Sequence, residues 1–399
     1  MKQIVFKALF GAFATLILFA SCSKDDPVNP VVTKPERTVL LYLAADNNLS
    51  RLAYKDLEEV RQGMTHVSSS MYLMVYADMG DGNAQLLKLT NRNGSVQEEI
   101  VKEYGDRNST GVEETREVFD DVFGNPDYQA ASYGLIYWSH CDGWIPYPMP
   151  SSRWIGQDTG NGDNRMNLSD FEEILAQAPH FDFIMFDACF MQSIEVAYAL
   201  RDYTDYYIAS PTETPGPGAP YDKILPYMFQ GGASAKLADT YYNVYADLYD
   251  EGRGITNDHW TGGTSICALR TEGLEQLASL TARLLPEEAV DVETLQAAAF
   301  DYDQRQDYPS SYVGYFDWAQ MMQALLSAED YAAWRQAFDD AIAYWNTTPM
   351  NYSAVVGMFS MEGTNGVTHY IPRSLSSEAA EAYRATAWYQ AAGLSKLGW

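Results

Sequence analysis

Short apolar runs recur along the first half of the chain, and turn-forming residues bound each of them. Runs of this length predict buried strands, whereas the stretches between them carry apolar residues at the three and four spacing of a helix. The predicted strands are 38–43, 71–76, 133–139, 181–186 and 206–209, and the predicted helices are 49–63, 111–123, 169–177 and 194–201. Strictly alternating strands and helices favour a mostly parallel sheet with helices on both faces.

The second half of the chain is less regular. A strand is predicted at 265–269, a mainly helical segment at about 271–345, and two last strands at 355–360 and 367–371. With 399 residues and 47% hydrophobic content, the chain is long enough to bury a large core.

Two of the predicted strands end at side chains that can do chemistry. His140 follows the strand at 133–139. Cys189 follows the strand at 181–186, separated from it by Asp187 and Ala188. Ligands of parallel sheets bind at the carboxyl ends of the strands, so these two side chains are placed to meet. A cysteine has a pKa of about 8.5 and becomes a good nucleophile when a neighbouring histidine lowers that pKa.

The first 22 residues predict a leader that is separate from the fold. Lys2 and Lys7 precede an apolar stretch at 8–20, and small residues then lead to Cys22, as in a bacterial lipobox. This pattern predicts that Cys22 is lipidated and tethers the protein to a membrane; an ordinary cleaved signal is the alternative. Residues 23–37 are predicted to be a flexible tether.

Charge and cysteine content narrow the classes of partner. The net charge of −28 argues against nucleic acid or an anionic membrane surface as a partner, and it favours cationic substrates. Membrane contact is therefore predicted only through the lipid anchor.

Apart from Cys22, three cysteines remain, Cys141, Cys189 and Cys267, so at least one thiol has no partner within the chain. No cysteine or histidine spacing of a zinc site occurs, and no metal is predicted.

Four segments together resemble the clostripain family of cysteine peptidases. They are Tyr-Leu-Ala-Ala-Asp-Asn-Asn-Leu at 42–49, Tyr-Trp-Ser-His with a following Gly-Trp at 137–144, Phe-Asp-Ala-Cys-Phe-Met-Gln-Ser-Ile-Glu at 186–195, and Pro-Gly-Pro-Gly-Ala-Pro-Tyr at 215–221. Their order and spacing are similar to the family over about 38–230. The resemblance implies a caspase-like α/β sandwich, a peptidase domain over 38–399 and a Cys-His dyad.

Under this resemblance Cys189 attacks the scissile carbonyl, and His140 stabilises the thiolate and protonates the leaving amine. The backbone N–H of Cys189 and one from the turn after His140, at Cys141 or Asp142, would hold the oxyanion. Where the family usually has a glycine, this chain has Cys141, which could crowd that hole or form a disulfide with Cys189, although a buried small side chain is the simpler reading.

Substrate preference is predicted from Asp187, which the resemblance implies is an acid of a pocket for Arg or Lys. The family often carries a second acid at the position of Pro217, and Ala219 stands where the family has tryptophan. Glu213 is a candidate to replace the missing acid, or it is a solvated loop residue. A preference that has moved away from basic residues altogether is the other alternative.

Relatives are often matured by a cut between the histidine and cysteine strands. Here residues 145–167 are predicted to form a long loop, in which Arg153 and Arg165 are candidate sites of self-cleavage.

The segment 46–48 predicts a turn or helix cap. No cofactor is predicted, and a calcium ion is implied only by the resemblance.

Taken together, these features predict an exported lipoprotein at the outer membrane or cell surface that acts as a cysteine endopeptidase on peptides or proteins. A catalytically impaired relative that binds a peptide or a surface partner is the main alternative. A different hydrolase or transferase with the same dyad is a weaker one.

Overall fold

The computed structural model describes residues 34–80, 82–146, 154–160, 162–308 and 312–399. The described chain belongs to one compact unit that begins at Lys34. The predicted leader, Cys22, most of the tether and Arg153 lie outside the described residues.

The strands in chain order are β1 (Arg37–Ala44), β2 (Met71–Asp78), β3 (Ala84–Arg92), β4 (Ser95–Gly105), β5 (Ser132–Trp138), β6 (Ile155–Asp158), β7 (Asn164–Met166), β8 (Phe183–Asp187), β9 (Tyr206–Ala209), β10 (Ser265–Arg270), β11 (Tyr315–Asp317), β12 (Ile342–Thr347), β13 (Met350–Ser353), β14 (Gly357–Ser360) and β15 (Thr368–Tyr370). The helices are α1 (Ser50–Met64), α2 (Val112–Phe119), α3 (Leu168–Leu175), α4 (Ile194–Leu200), α5 (Tyr221–Met228), α6 (Ser234–Leu248), α7 (Leu274–Leu284), α8 (Val292–Ala298), α9 (Trp318–Leu325), α10 (Ala328–Ala341), α11 (Glu378–Arg384) and α12 (Ala387–Ala391). A π-helical turn, Asp120–Gly124, extends α2, and a 3-10 turn, Leu394–Leu397, precedes the C-terminus.

Within the part of the chain that the structure describes, nine strands form the main sheet in the order β12-β10-β9-β8-β5-β1-β2-β3-β4. The five central strands, β9, β8, β5, β1 and β2, run parallel to one another. Both edges are antiparallel, with β10 and β12 on one side and the β3–β4 pair on the other. The central strands are thus the five that the apolar runs predict.

Alternate residues of β1 pack into two different cores, one on each face of the sheet. Leu40 and Tyr42 belong to the core that α2, α3, α4 and α7 help to build. Val39 and Leu41 belong to the core of α1, α5 and α6. Because every residue of β1 is buried, its continuous apolar run reflects a central strand covered on both faces. The predicted sandwich with helices on both faces is confirmed.

Several elements differ from the prediction. The segment 271–345 contains α7 to α10 as expected, but it also contains β11 and β12. The strand predicted at 355–360 is shorter, since β14 begins at Gly357. The loop predicted at 145–167 carries a small hairpin, β6–β7.

Candidate active site

The register of β5 and β8 places His140 and Cys189 at the same level of the sheet. The two strands are parallel neighbours, and Trp138 pairs with Asp187. His140 and Cys189 each lie two residues beyond this pair, at the carboxyl ends of their strands. Adjacent strands are about 4.8 Å apart, so the backbones leave the sheet side by side. The two strand ends that the sequence singles out are therefore neighbours in space.

His140 is held by Asn48, which follows the end of β1. The Nε2 atom of His140 lies 2.6 Å from the Oδ1 atom of Asn48. Since an amide oxygen only accepts hydrogen bonds, this contact places a proton on Nε2 and leaves Nδ1 as the acceptor of the neutral ring. Burial lowers the pKa of His140, which favours the neutral ring. The sequence predicts a turn or cap at 46–48 and does not reveal this contact.

Cys189 is partly buried and its thiol is free. Its sulfur accepts a hydrogen bond from the backbone N–H of Thr214 at 3.4 Å and lies 3.5 Å from the hydroxyl of Thr214. Burial and the negative charge of Glu213 raise the pKa of Cys189 to about 12, although the two Thr214 contacts act in the opposite direction. A raised pKa favours the protonated thiol, so the nucleophilic thiolate forms only when a base accepts its proton.

A cavity of about 90 Å³ opens between the two candidate catalytic side chains. Its lining residues come from the ends of β5 and β8, from α1 and from the loop after β9; they are Leu49, Leu52, Trp138, Ser139, His140, Asp187, Cys189, Thr214, Pro215, Gly216 and Gly218. The structure therefore brings His140, Cys189 and Asp187 together at one cavity.

Asp187 is buried at the end of β8, with 4% of its surface exposed. Its Oδ2 atom accepts hydrogen bonds from the backbone N–H of Ala219 at 2.9 Å and from the hydroxyl of Tyr221 at 3.0 Å. Burial raises its pKa above the ordinary range, while these two hydrogen bonds lower it. Ala219, at the position where the family resemblance predicts tryptophan, thus keeps a role through its backbone.

Glu213 is not among the residues that line this cavity. Its carboxylate accepts hydrogen bonds from the hydroxyl of Ser353 at 2.6 Å and from the backbone N–H of Ala354 at 2.8 Å. Glu213 therefore joins the loop after β9 to the β13–β14 hairpin. These two hydrogen bonds correct the prediction of a solvated loop residue, whereas a role of Glu213 toward the substrate stays a prediction.

The turn after His140 differs in part from its predicted role. The N–H of Asp142 already donates to the carbonyl of Trp154 at 3.2 Å, so it is not free to hold an oxyanion in this structure. Cys141 is buried, and its sulfur accepts a hydrogen bond from the N–H of Gly156 at 3.4 Å. Cys141 is a free thiol and does not adopt a positive φ, whereas Gly143 does, at 109°. Cys141 therefore carries no strain of the kind that a positive φ causes.

Arg165 lies on β7, and this ordered position makes it a poor site for self-cleavage. Its guanidinium stacks on Trp154 at 3.6 Å and pairs with Asp163 at 2.7 Å. Proteolysis is favoured in exposed loops rather than in paired strands. Arg153 lies outside the described residues and stays a prediction from the sequence.

In the segment 46–48, Asn47 stabilises the turn that leads into α1. Its side chain donates to the carbonyl oxygens of Ala44 and Gln157 and accepts from the N–H of Leu49.

Among the described residues, no group of three or more histidine, cysteine, aspartate or glutamate side chains is arranged to hold a metal ion. Within the same ranges, no helix is long and apolar enough to cross a bilayer.

Known proteins are similar to this chain over most of its length. The sequence profile of the Clostripain family matches residues 41–397. The clostripain of Hathewaya histolytica is 25% identical over 250 residues, which are 55% of this chain and 47% of that relative. This chain thus spans about half the length of the curated relative that it matches.

Solved structures extend the match to most of the chain. A secreted C11 cysteine protease from Bacteroides thetaiotaomicron, in complex with an irreversible peptide inhibitor, is 40% identical; the match covers 90% of this chain and 99% of that one, with a TM-score of 0.82. An inactive zymogen C11 protease from Parabacteroides distasonis is 27% identical over the same shares, with a TM-score of 0.76. The chain therefore belongs to the clostripain family of cysteine-type endopeptidases.

Proposed function

We propose that the protein is a membrane-anchored cysteine endopeptidase that cuts peptide bonds after lysine or arginine through Cys189 and His140. The observation that carries this proposal is the single cavity that His140, Cys189 and Asp187 line at the paired ends of β5 and β8. A base, a nucleophile and an acid for a cationic side chain are the groups that such a reaction needs.

The chemistry begins with His140 in its neutral form. With Nε2–H donated to Asn48, the Nδ1 atom takes the proton from the thiol of Cys189. The thiolate attacks the scissile carbonyl, and the N–H groups of Cys189 and Cys141 are the candidate donors to the oxyanion. His140 then gives the proton to the leaving amine, and water hydrolyses the thioester to release the acid and the free thiol.

Two peptide substrates that differ only before the scissile bond, one with lysine and one with norleucine, test the substrate class. They are compared on the purified full-length wild type and on the Cys189→Ala and His140→Ala variants. The proposal expects the lysine peptide to be cut by the wild type alone. Folded wild type that binds both peptides and cuts neither would favour the catalytically impaired relative.

Anchoring is supported by the lipobox-like sequence that ends at Cys22. In a host that lipidates such sequences, Cys22→Ala is expected to move the protein from the membrane fraction to the soluble fraction. The Cys141→Ala variant is the matched control, because it removes a different thiol. If Cys22→Ala fractionates with membranes as the wild type does, anchoring through this cysteine is ruled out.

A further inference from the structure

A second carboxylate lies beside Asp187, on an element that the sequence does not connect with the site. Asp56 is on α1, one helical turn after Leu52, which lines the cavity. Residues four apart lie on the same face of a helix, so Asp56 lies directly beyond Leu52 on the face turned to the site. Asp56 is 1% exposed, and its Oδ2 atom accepts a hydrogen bond from the indole N–H of Trp138 at 2.7 Å. Trp138 is itself a wall of the cavity.

Gly218 shows that Asp56 and Asp187 face the same point. A methyl group added to Gly218 would lie 2.8 Å from Oδ2 of Asp56 and 3.3 Å from Oδ2 of Asp187. Gly218 lines the cavity and has a positive φ of 80°, so the chain presents bare backbone between the two acids. The two carboxylates therefore approach the cavity wall from α1 and from β8.

Both acids have unused bonding capacity. The Oδ1 atom of Asp56 and the Oδ1 atom of Asp187 are buried and have no hydrogen-bond partner among the described residues. Glu59 adds a third carboxylate nearby, and it accepts from the N–H of Tyr221 at 3.1 Å. Lys55, the cation next to Asp56 in sequence, forms its ion pair with Asp258 instead. A proton or an entering cation can neutralise buried acids in this arrangement, because unpaired buried charge is costly.

We propose that Asp56 is a specificity-determining residue, and that its carboxylate, with that of Asp187, receives the ammonium or guanidinium group of the substrate residue before the scissile bond. Asp56 thereby supplies from α1 the second acid that Pro217 does not supply from the loop. The inference rests on the proposed function, since it names a partner for Asp187 in the same pocket.

The test measures kcat/KM for the lysine and norleucine peptides and takes their ratio within each preparation of the full-length protein. The ratio is independent of the fraction of active enzyme, so partial folding or incomplete maturation cancels. Wild type, Asp56→Asn and Asp187→Asn are compared. Asp258→Asn is the matched control, because it removes one negative charge beside α1 from a side chain that is 73% exposed, whereas Asp56 is buried.

The expected result is a ratio that falls by about tenfold or more in Asp56→Asn and in Asp187→Asn, with no change in Asp258→Asn. A high wild-type ratio that falls in Asp187→Asn but not in Asp56→Asn overturns the role of Asp56 and leaves the proposed function in place. A wild-type ratio near one overturns the preference for basic residues, and the role of Asp56 with it.

Asp56→Glu keeps the inference testable if Asp56→Asn does not fold. The added methylene moves the charge toward the cavity and shortens the pocket, so the preference for lysine over the longer arginine is expected to rise several-fold. An unchanged preference between lysine and arginine in a folded Asp56→Glu protein would show that Asp56 does not reach the substrate.

Discussion

The site differs from an ordinary protein interior in its two buried carboxylates, those of Asp56 and Asp187. Burial and mutual repulsion raise the pKa of Asp56, and burial raises the pKa of Asp187. Both groups therefore hold protons more firmly than solvated aspartates do. An entering cation favours their ionised forms and would be bound with release of a proton. Release of that proton opposes binding at low pH, so the affinity for a basic side chain is expected to rise as the pair ionises.

This coupling predicts a pH dependence of substrate preference. Raising the pH ionises the pair, so the ratio of kcat/KM for the lysine peptide to that for the norleucine peptide is expected to rise from slightly acidic to alkaline pH. Protonation of Cys189 and His140 affects both peptides and cancels in the ratio. Other groups that act on the pair are Glu59, Lys55 and Tyr221.

The measurement is a pH series on the wild type, with the Asp187→Asn variant as the control that has lost one acid. A flat ratio in the wild type would mean that the pair does not titrate when the substrate binds.

Asn48 gives a second prediction at the scale of one residue. Asn48→Ala removes the acceptor of the His140 Nε2–H, so the ring can rotate or adopt the other tautomer. We expect kcat to fall by roughly tenfold to a hundredfold with little change in KM, which is part of the roughly 10² to 10⁴ that general acid–base catalysis contributes.

Asn48→Asp separates positioning from folding, because aspartate restores the acceptor and also stabilises the imidazolium. Its expected result is recovery of kcat at high pH, with the acid limb of the pH–rate profile moved to higher pH. If the alanine variant keeps its full kcat, Asn48 has no such role.

Candidate catalytic residues could be predicted from the sequence where a reactive side chain directly follows an apolar strand. His140 and Cys189 are the two examples. Asp56 could not be identified in this way. It lies in a helix beside the acids Glu58 and Glu59, and only the packing of α1 shows that it is buried. Asn48 and Thr214 are likewise ordinary turn residues until the fold places them against His140 and Cys189.

At the scale of elements, burial on both faces decides which strands the sequence reveals. The central strands β1, β5 and β8 are continuous apolar runs because cores cover both sides. Strand β4 carries Glu98, Glu99 and Lys102 and is mostly exposed at the sheet edge, so its pattern contains no buried face to detect. Strand β12 follows α10 without a break, and no turn residue marks the change.

The β6–β7 hairpin predicts which arginine is cut if the enzyme matures itself. Arg165 is paired in a strand and stacked on Trp154, so Arg165→Ala is expected to leave processing unchanged. Arg153 precedes the hairpin, and Arg153→Ala is expected to abolish a new N-terminus at Trp154. Mass spectrometry of the incubated full-length proteins maps the termini.

Cys189→Ala is the control, because it separates self-cleavage from cutting by a contaminating protease. A new N-terminus after Arg165 in the wild type would show that the hairpin opens, and intact wild type that still cuts peptides would remove self-processing.

At the scale of the whole molecule, the strong acidity of the chain adds to the role proposed for Asp56 and Asp187. The net charge of −28 produces a negative potential that raises the local concentration of cationic peptides. Salt screens this long-range attraction, with a Debye length of about 30 Å at 0.01 M and about 3 Å at 1 M. Buried pairs such as Asp56 and Asp187 are screened much less, since solvent ions do not reach them.

Ionic strength therefore distinguishes long-range attraction by the net charge of the chain from binding at the buried acids. For a peptide with one lysine before the scissile bond and several more lysines distant from it, kcat/KM is expected to fall several-fold between about 0.01 M and about 1 M salt. For the matched peptide with glutamine at the distant positions, the fall is expected to be smaller, because its single positive charge enters the buried pocket. Equal salt dependence for the two peptides would show that the surface charge has no part in attracting substrate, and would leave the buried pair as the one proposed source of a preference for basic residues.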